Sequence, residues 1–135
     1  MKRKMIVGVG VGVLLLVSMP HTLSPVLSQK QEAKQNQATW EQKKANKALA
    51  KKVAWQGYGW RGMEWRCLDY IFTKESRYDH LAKNKQGSSA FGIGQRLKET
   101  SKEPLTQILH TYKYITHRYE TPCRAMKFHL RHNHY

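Results

Sequence analysis

Apolar residues recur at intervals of three and four through the second half of this chain, and that spacing favours helices over strands. Trp65, Leu68 and Phe72 share one face of a helix predicted over 63–76. A long helix is predicted to open at Pro104, because proline is favoured in a first turn. Its expected buried stripe is Leu105, Ile108, Leu109, Tyr112, Ile115 and Tyr119. No segment alternates as a strand does, so the expected fold class is mainly α, with little or no sheet.

A last helix is predicted to begin at Thr121 and Pro122, an N-cap residue followed by a first-turn proline. It is expected to turn Cys123, Met126 and Leu130 inward.

Residues 1–28 have the pattern of an export signal. A basic stretch over 1–4 precedes an apolar run over 5–19, and cleavage is expected after Ser28. A retained membrane anchor is the alternative, although a spanning helix usually needs about 18–20 apolar residues. Both interpretations place the remainder outside the cytoplasm, either secreted or anchored to the membrane.

The net charge is +15, and it is still +12 once residues 1–28 are removed. A chain with this net charge is expected to bind polyanions. The candidates are nucleic acid, an anionic membrane and an anionic cell wall. Because the chain is expected to be exported, we expect no nucleic-acid partner, and membrane contact only through the N-terminal segment. Anionic wall polymers remain possible partners, and the sequence does not indicate an oligomeric state.

The segment 29–53 is rich in Gln, Lys, Asn and Ala, and it is interpreted as a solvated, partly helical spacer. A wall-binding arm is the alternative. Aromatic residues crowd the chain after Ala54, so a single packed domain is predicted over 54–135. Trp60 and Trp65 are expected in its core, with a sugar-stacking platform as the alternative.

Two cysteines, Cys67 and Cys123, are expected to form a disulfide because exported proteins fold in an oxidising compartment. Two separate buried thiols are the alternative. A bridge that closes the loop from Cys67 to Cys123 would stabilise the fold by at most about 4 kcal/mol in the chain-entropy model.

Glu75 ends the apolar stripe of the 63–76 helix. Burial there would raise its pKa and keep part of it protonated near neutral pH, as a general acid requires. The alternative is an exposed glutamate at a fraying helix end, paired with Lys74 or Arg77.

The order of several short motifs resembles that of small lytic transglycosylases, the lysozyme-like domains of Gram-positive secreted, phage and conjugation proteins. The matching residues are Glu75-Ser76, Gly87-Ser88-Ser89-Ala90-Phe91-Gly92-Ile93-Gly94-Gln95, Gln107-Ile108, Tyr114-Ile115 and Arg118-Tyr119-Glu120-Thr121-Pro122-Cys123. The resemblance implies a lysozyme-like fold and peptidoglycan glycan strands as the substrate. It also supports the bridge between Cys67 and Cys123.

The resemblance implies that Glu75 protonates the glycosidic oxygen between N-acetylmuramic acid and N-acetylglucosamine, then deprotonates the muramyl 6-hydroxyl to close a 1,6-anhydro ring. Gln95 would bind substrate, Gly92 and Gly94 would let the glycan lie against the backbone, and Tyr114 would steady Glu75 or the sugar. Ser76 and Ser89 are further candidate substrate-binding residues. For the glycines an ordinary tight turn is the alternative, and for Tyr114 a surface position.

One carboxylate suffices for that reaction, whereas a hydrolytic muramidase usually needs two. No partner carboxylate lies in a second motif, so hydrolysis ranks below transglycosylation, with Asp69 and Asp79 as the alternative second carboxylates. No cofactor and no metal site are expected, because the histidines lack ligand spacing. His110, His117, His129, His132 and His134 are interpreted as basic surface residues.

The C-terminal stretch departs from the family pattern. Ala125-Met126 stands where relatives show Ala-Trp, and Asn133-His134-Tyr135 stands where they show Gly-Trp-Tyr. The loss of two aromatic positions leaves a second function class open, a non-catalytic wall-binding or assembly protein with a lysozyme-like cleft.

Overall fold

A computed structural model describes Gly10, residues 25–84 and residues 86–135, without the side chains of 33–35. Most of the apolar run over 5–19 and of the signal pattern lies outside these residues. The described chain is mainly helical, as predicted from the apolar spacing. Its elements are α1 (Pro25–Gln35), α2 (Trp40–Gly57), α3 (Met63–Glu75), β1 (Ala90–Phe91), β2 (Arg96–Leu97), α4 (Pro104–Tyr119) and α5 (Pro122–His132). Within this part of the chain, none of the helices has the length and apolarity to cross a bilayer.

Helices α3 and α4 form the centre of the packed unit, with α2 and α5 against both of them. Tyr112 of α4 is fully buried, and its ring packs edge-on against Trp60 and stacks on Phe72. Its hydroxyl donates a hydrogen bond of 2.6 Å to the carbonyl of Ala50 in α2. Trp65 is buried as well, which confirms the core interpretation of Trp60 and Trp65.

The packed unit begins before the expected boundary at Ala54, because α2 belongs to it. Asn46, Ala50 and Ala54 recur every four residues and turn one narrow, buried stripe toward the core. Thr39 caps the helix through a capping box with Gln42. The segment 40–53 is therefore a packed helix with a wet outer face, where the sequence predicted a solvated spacer.

The predicted starts of α4 and α5 are confirmed, but their buried faces are turned from the expected ones. Leu105, Leu109 and Leu130 were expected inside, and they are 45%, 40% and 61% exposed. The buried face of α4 includes two polar side chains. Gln107 accepts a hydrogen bond from the amide of Ile93 in the adjacent loop, and the hydroxyl of Thr111 donates to the carbonyl of Gln107 within α4. The buried face of α5 consists of Pro122, Ala125 and His129.

The two short strands pair antiparallel, with Ala90 opposite Leu97 and Phe91 opposite Arg96. They enclose the turn 92–95 and hold it against α4. The predicted disulfide between Cys67 and Cys123 is present and fastens α3 to α5.

Candidate active site

Glu75 lies at the edge of the core because it is the last residue of α3. Leu68 and Phe72, two turns and one turn earlier on the same face, are fully buried. The helix stops at Ser76, and Arg77 and Tyr78 continue with positive φ values of 54° and 62°. The Glu75 side chain keeps 19% of its surface exposed, so it is largely desolvated and still open on one side.

His129 of α5 is the hydrogen-bonding partner of Glu75. Its Nε2 lies 2.8 Å from Oε1 of Glu75, and its side chain is 6% exposed. The interpretation of His129 as a surface residue was therefore wrong. Its spacing of four from Ala125 and seven from Pro122 is that of a buried helix stripe, and this is the sequence signal that could have identified it.

The surroundings of Glu75 act on its pKa in opposite directions. Burial raises the pKa above the ordinary value of 4.5. The hydrogen bond from His129, the charge of His129 and the charge of His134 each lower it, but together they offset only part of the effect of burial. The net effect is a raised pKa, the direction required of a carboxyl group that donates a proton.

Ser76 connects Glu75 to the turn 92–95. Its Oγ donates a hydrogen bond of 2.6 Å to the carbonyl of Ile93. Gln95 fixes the same turn from within, because its Nε2 donates to the carbonyls of Ala82 and Gly92, each at 2.9 Å. Both residues therefore hold the turn beside the end of α3, and the amide nitrogen of Gln95 is committed to backbone.

The two glycines of this turn are needed for its close approach to α4. A Cβ on Gly92, whose φ is +79°, would lie 2.4 Å from the side chain of Gln107. A Cβ on Gly94 would lie 2.1 Å from Oγ1 of Thr111. Side chains of α4 occupy the space that we had expected to admit a glycan, so packing accounts for the glycines.

Gln107 provides the hydrogen-bonding partner on the buried side of the turn 92–95. It is 1% exposed, and its Oε1 accepts a hydrogen bond of 2.9 Å from the amide of Ile93. Its Nε2 donates to the carbonyls of His80 and Ser101. The position of the turn beside Glu75 is thus set by an amide group whose polar atoms are all engaged.

A small cavity of about 130 Å³ adjoins the turn, lined by Gly94, Gln95, Arg96, Leu97, Tyr114 and Tyr135. The Tyr135 hydroxyl donates a hydrogen bond to the carbonyl of Gly94. Burial raises the pKa of Tyr135, and the negative charge of Glu75 raises it further. Tyr135, which was not among the predicted site residues, therefore lies within electrostatic reach of Glu75 and also forms part of the cavity wall.

Tyr114 lies on the cavity wall, away from the buried face of α4. Its ring centroid is 5.8 Å from that of Tyr135, and the Arg96 guanidinium stands 5.3 Å above its ring. Its contacts place it beside the cavity and give it no hydrogen bond to Glu75 among the described residues. Ser89 is exposed at the start of the hairpin, where its Oγ accepts from the amide of Lys98.

The two candidate second carboxylates face α2 and its amino end. Asp79 is 5% exposed, and its Oδ1 accepts hydrogen bonds from the amides of Ala38 and Leu81, at 3.0 and 2.8 Å. Asp69 accepts a hydrogen bond from Tyr78 at 2.5 Å and pairs with Lys47 at 3.1 Å. Each has a structural partner set, and within the described chain neither contacts Glu75.

Over the residues that the structure describes, no three His, Cys, Asp or Glu side chains lie close enough together to hold a metal ion. Comparison of the chain with protein-family models, curated proteins and solved structures finds no match.

Proposed function

We propose that this protein is a peptidoglycan lytic transglycosylase with a lysozyme-like fold, in which Glu75 is the single general acid and base. The observation that carries the proposal is the setting of Glu75. It is a desolvated carboxyl with a raised pKa, open on one side and adjoining a turn fixed by Ser76 and Gln95. The order of motifs that resembles small lytic transglycosylases supports the same assignment.

In the proposed reaction, protonated Glu75 gives its proton to the glycosidic oxygen as the bond to the muramyl C1 breaks. The resulting carboxylate accepts the hydrogen bond from Nε2 of His129, so the charge is stabilised where it forms. Glu75 then takes the proton of the muramyl 6-hydroxyl while that oxygen bonds to C1. The acid is restored and no water is consumed, so a second carboxylate is not needed.

His129 acts as a positioning residue in this scheme, because it acts through Glu75. The imidazole lies edge-on to Tyr70, with ring centroids 5.9 Å apart, which restrains its orientation. The disulfide between Cys67 and Cys123 fastens α3 to α5 near their amino ends, and the pair of Glu75 and His129 joins the same helices farther along.

The test is mass spectrometry of the muropeptides that the full-length, oxidised protein releases from purified peptidoglycan. We expect products lighter by one water than the hydrolytic ones, and release about 10³-fold slower from a folded Glu75→Gln variant. Products with a reducing end would contradict the proposal and indicate a muramidase. A folded wild-type protein that releases nothing would contradict it in favour of a wall-binding protein.

A further inference from the structure

The outer face of α2 carries two exposed tryptophans among lysines. Trp40 is 70% exposed and Trp55 is 40% exposed. Nζ of Lys44 lies 5.9 Å from the ring centroid of Trp40, and Nζ of Lys51 lies 4.9 Å from that of Trp55. The four residues are spaced by four, seven and four, so they form one stripe along the helix. This stripe is separate from the buried face of α2.

The stripe ends at a cavity of about 450 Å³, which we call the basic tryptophan pocket. It is lined by Ala48, Lys51, Lys52, Trp55, Gln56 and Arg61. The Arg61 guanidinium stands 5.8 Å from the centroid of the Trp55 ring, so Arg61 and Lys51 are both held against one indole. The pocket therefore combines an exposed aromatic surface with three converging cations.

Among the described residues, these three cations have no acidic partner. Lysines elsewhere on α2 form ion pairs, namely Lys43 with Asp79, Lys44 with Glu41 and Lys47 with Asp69. No ion pair involves Lys51, Lys52 or Arg61 in the part of the chain that the structure describes. Three like charges around one cavity repel each other, and a bound polyanion would replace that repulsion with attraction.

The chemistry of the pocket fits a sugar joined to a phosphate better than either group alone. The guanidinium of Arg61 offers paired donors that match a phosphate, and the two lysines add charge. The exposed indole face of Trp55 can pack against the apolar face of a sugar ring through dispersion contacts. Trp40 and Trp55 are 15 residues apart, about 22 Å along the helix axis, so a linear polymer can lie along the stripe.

We propose that the basic tryptophan pocket binds an anionic polymer whose sugar-bearing units are joined by phosphodiesters, and thereby keeps the enzyme on the cell wall. The proposal rests on the proposed function only for the location of the ligand. The pocket lies on α2, whereas Glu75 binds His129 of α5, so binding and cleavage can be measured separately.

The test measures equilibrium binding of the full-length, oxidised Glu75→Gln protein to poly(glycerol phosphate) chains with and without glucosyl substituents. The triple variant Lys51→Gln, Lys52→Gln and Arg61→Gln should bind both chains about tenfold more weakly, a loss of about 1.4 kcal/mol. The matched control is the triple variant Lys102→Gln, Lys127→Gln and Arg131→Gln. It removes the same number of positive charges, two from lysine and one from arginine, at exposed positions elsewhere. It should lose less than about threefold, because only long-range attraction changes.

The Trp55→Ala variant distinguishes the contribution of the sugar to binding from that of the phosphate. It should weaken binding of the glucosylated chain by about fivefold and leave the unsubstituted chain nearly unchanged, since only the former offers a sugar ring to the indole. Equal losses in the two triple variants would overturn the proposal and leave net charge as the explanation.

Two further probes test selectivity, a single-stranded oligonucleotide with the same number of phosphates and vesicles of equal parts phosphatidylglycerol and phosphatidylcholine. Equally tight binding of either probe, with the same dependence on Trp55, would also overturn the proposal. None of these binding measurements depends on turnover, so a negative result leaves the assignment of Glu75 as general acid and base unaffected. Conversely, failure of the cleavage assay leaves the binding result intact.

Discussion

Glu75 and Asp79 lie four residues apart and have opposite surroundings. Both oxygens of Asp79 are engaged, by the amides of Ala38 and Leu81 and by Lys43 at 3.7 Å. Glu75 is also largely buried, but over the described part of the chain its side chain has one hydrogen-bonding partner, His129, and it keeps one open side. A carboxylate whose lone pairs are filled by backbone donors serves to anchor a helix, whereas a desolvated one with few partners can exchange a proton.

The largest expected effects separate the two carboxylates by function. Glu75→Gln should lower the rate of muropeptide release by about 10³-fold, because proton transfer by a positioned group contributes about 10²–10⁴-fold. Asp79→Asn should change the rate by less than about threefold, since Asp79 binds Ala38, Leu81 and Lys43 and, within the described chain, does not contact Glu75. Initial rates measured on purified peptidoglycan check both values.

For stability we expect the reverse order, with a loss in Asp79→Asn and none in Glu75→Gln. Because burial raises the pKa of folded Glu75, the folded protein binds more protons than the unfolded chain between pH 4.5 and that pKa, and stability falls as the pH rises through this window. Glu75→Gln removes the charge, so urea melts at neutral pH should show no loss of stability. Asp79→Asn gives up the pair with Lys43 and should be destabilised. A stable, inactive Asp79→Asn protein would break the comparison.

The disulfide tests whether the Glu75 side of the molecule depends on covalent restraint. Replacing Cys67 and Cys123 by alanine should lower the free energy of unfolding by at most about 4 kcal/mol, because the loop is no longer closed in the unfolded chain. Activity should fall as well, since the bridge helps to hold α3 against α5. Denaturant melts of the double variant beside the wild type check the first value. Unchanged stability would contradict it.

The turn beside Glu75 should tolerate no side chain at Gly94. Gly94→Ala would place a Cβ 2.1 Å from Oγ1 of Thr111, and such overpacking typically costs about 1–3 kcal/mol. Gly57→Ala is the matched control, because its added Cβ would meet only Val53, at 4.0 Å. Adding Thr111→Ala to Gly94→Ala should recover part of the loss in thermal melts. No recovery would show that the clash is not the cause.

The smallest expected effect is a shift in the pH dependence of activity. The proposed reaction needs protonated Glu75, so we expect activity below the pKa of Glu75 and a loss of activity as the pH rises through it. His129 lowers that pKa, so His129→Gln should move the alkaline limb to higher pH and reduce the maximum rate by about tenfold. His132→Gln, an exposed change on the same helix, should leave the limb in place. If the alkaline limb of the pH profile stays in place in both variants, His129 does not set the pKa of Glu75 and has no part in the mechanism.

The parts of the fold that could be predicted from sequence depend on local rules. First-turn prolines at 104 and 122 and the apolar stripe ending at Glu75 predict three helices correctly, since capping and periodicity act within a few residues. The buried faces of α4 and α5 were harder to predict. Gln107 is buried because a distant turn needs its polar atoms, and Thr111 is buried with its hydroxyl bonded to the carbonyl of Gln107. Leu105 and Leu109 are exposed instead.

The candidate site was predictable only in its centre. Glu75 follows from the stripe and the resemblance, but His129 is 54 residues away and becomes its partner only through the packing of α3 on α5. α2 was interpreted as a spacer because its buried stripe is narrow and includes Asn46, whose amide binds the carbonyl of Tyr78. Small and polar residues carry little hydrophobic signal, so a long-range contact of this kind leaves few marks in the sequence.

Titration of the Glu75 side-chain carboxyl by ¹³C NMR, assigned with the Glu75→Gln variant, is the most direct test of the central claim, which is that burial keeps this group protonated above the ordinary range. We expect a midpoint above 4.5, rising further in His129→Gln. A midpoint at or below 4.5 in the folded, oxidised protein would contradict the account, because Glu75 would then be an ordinary paired carboxylate like those that anchor α2.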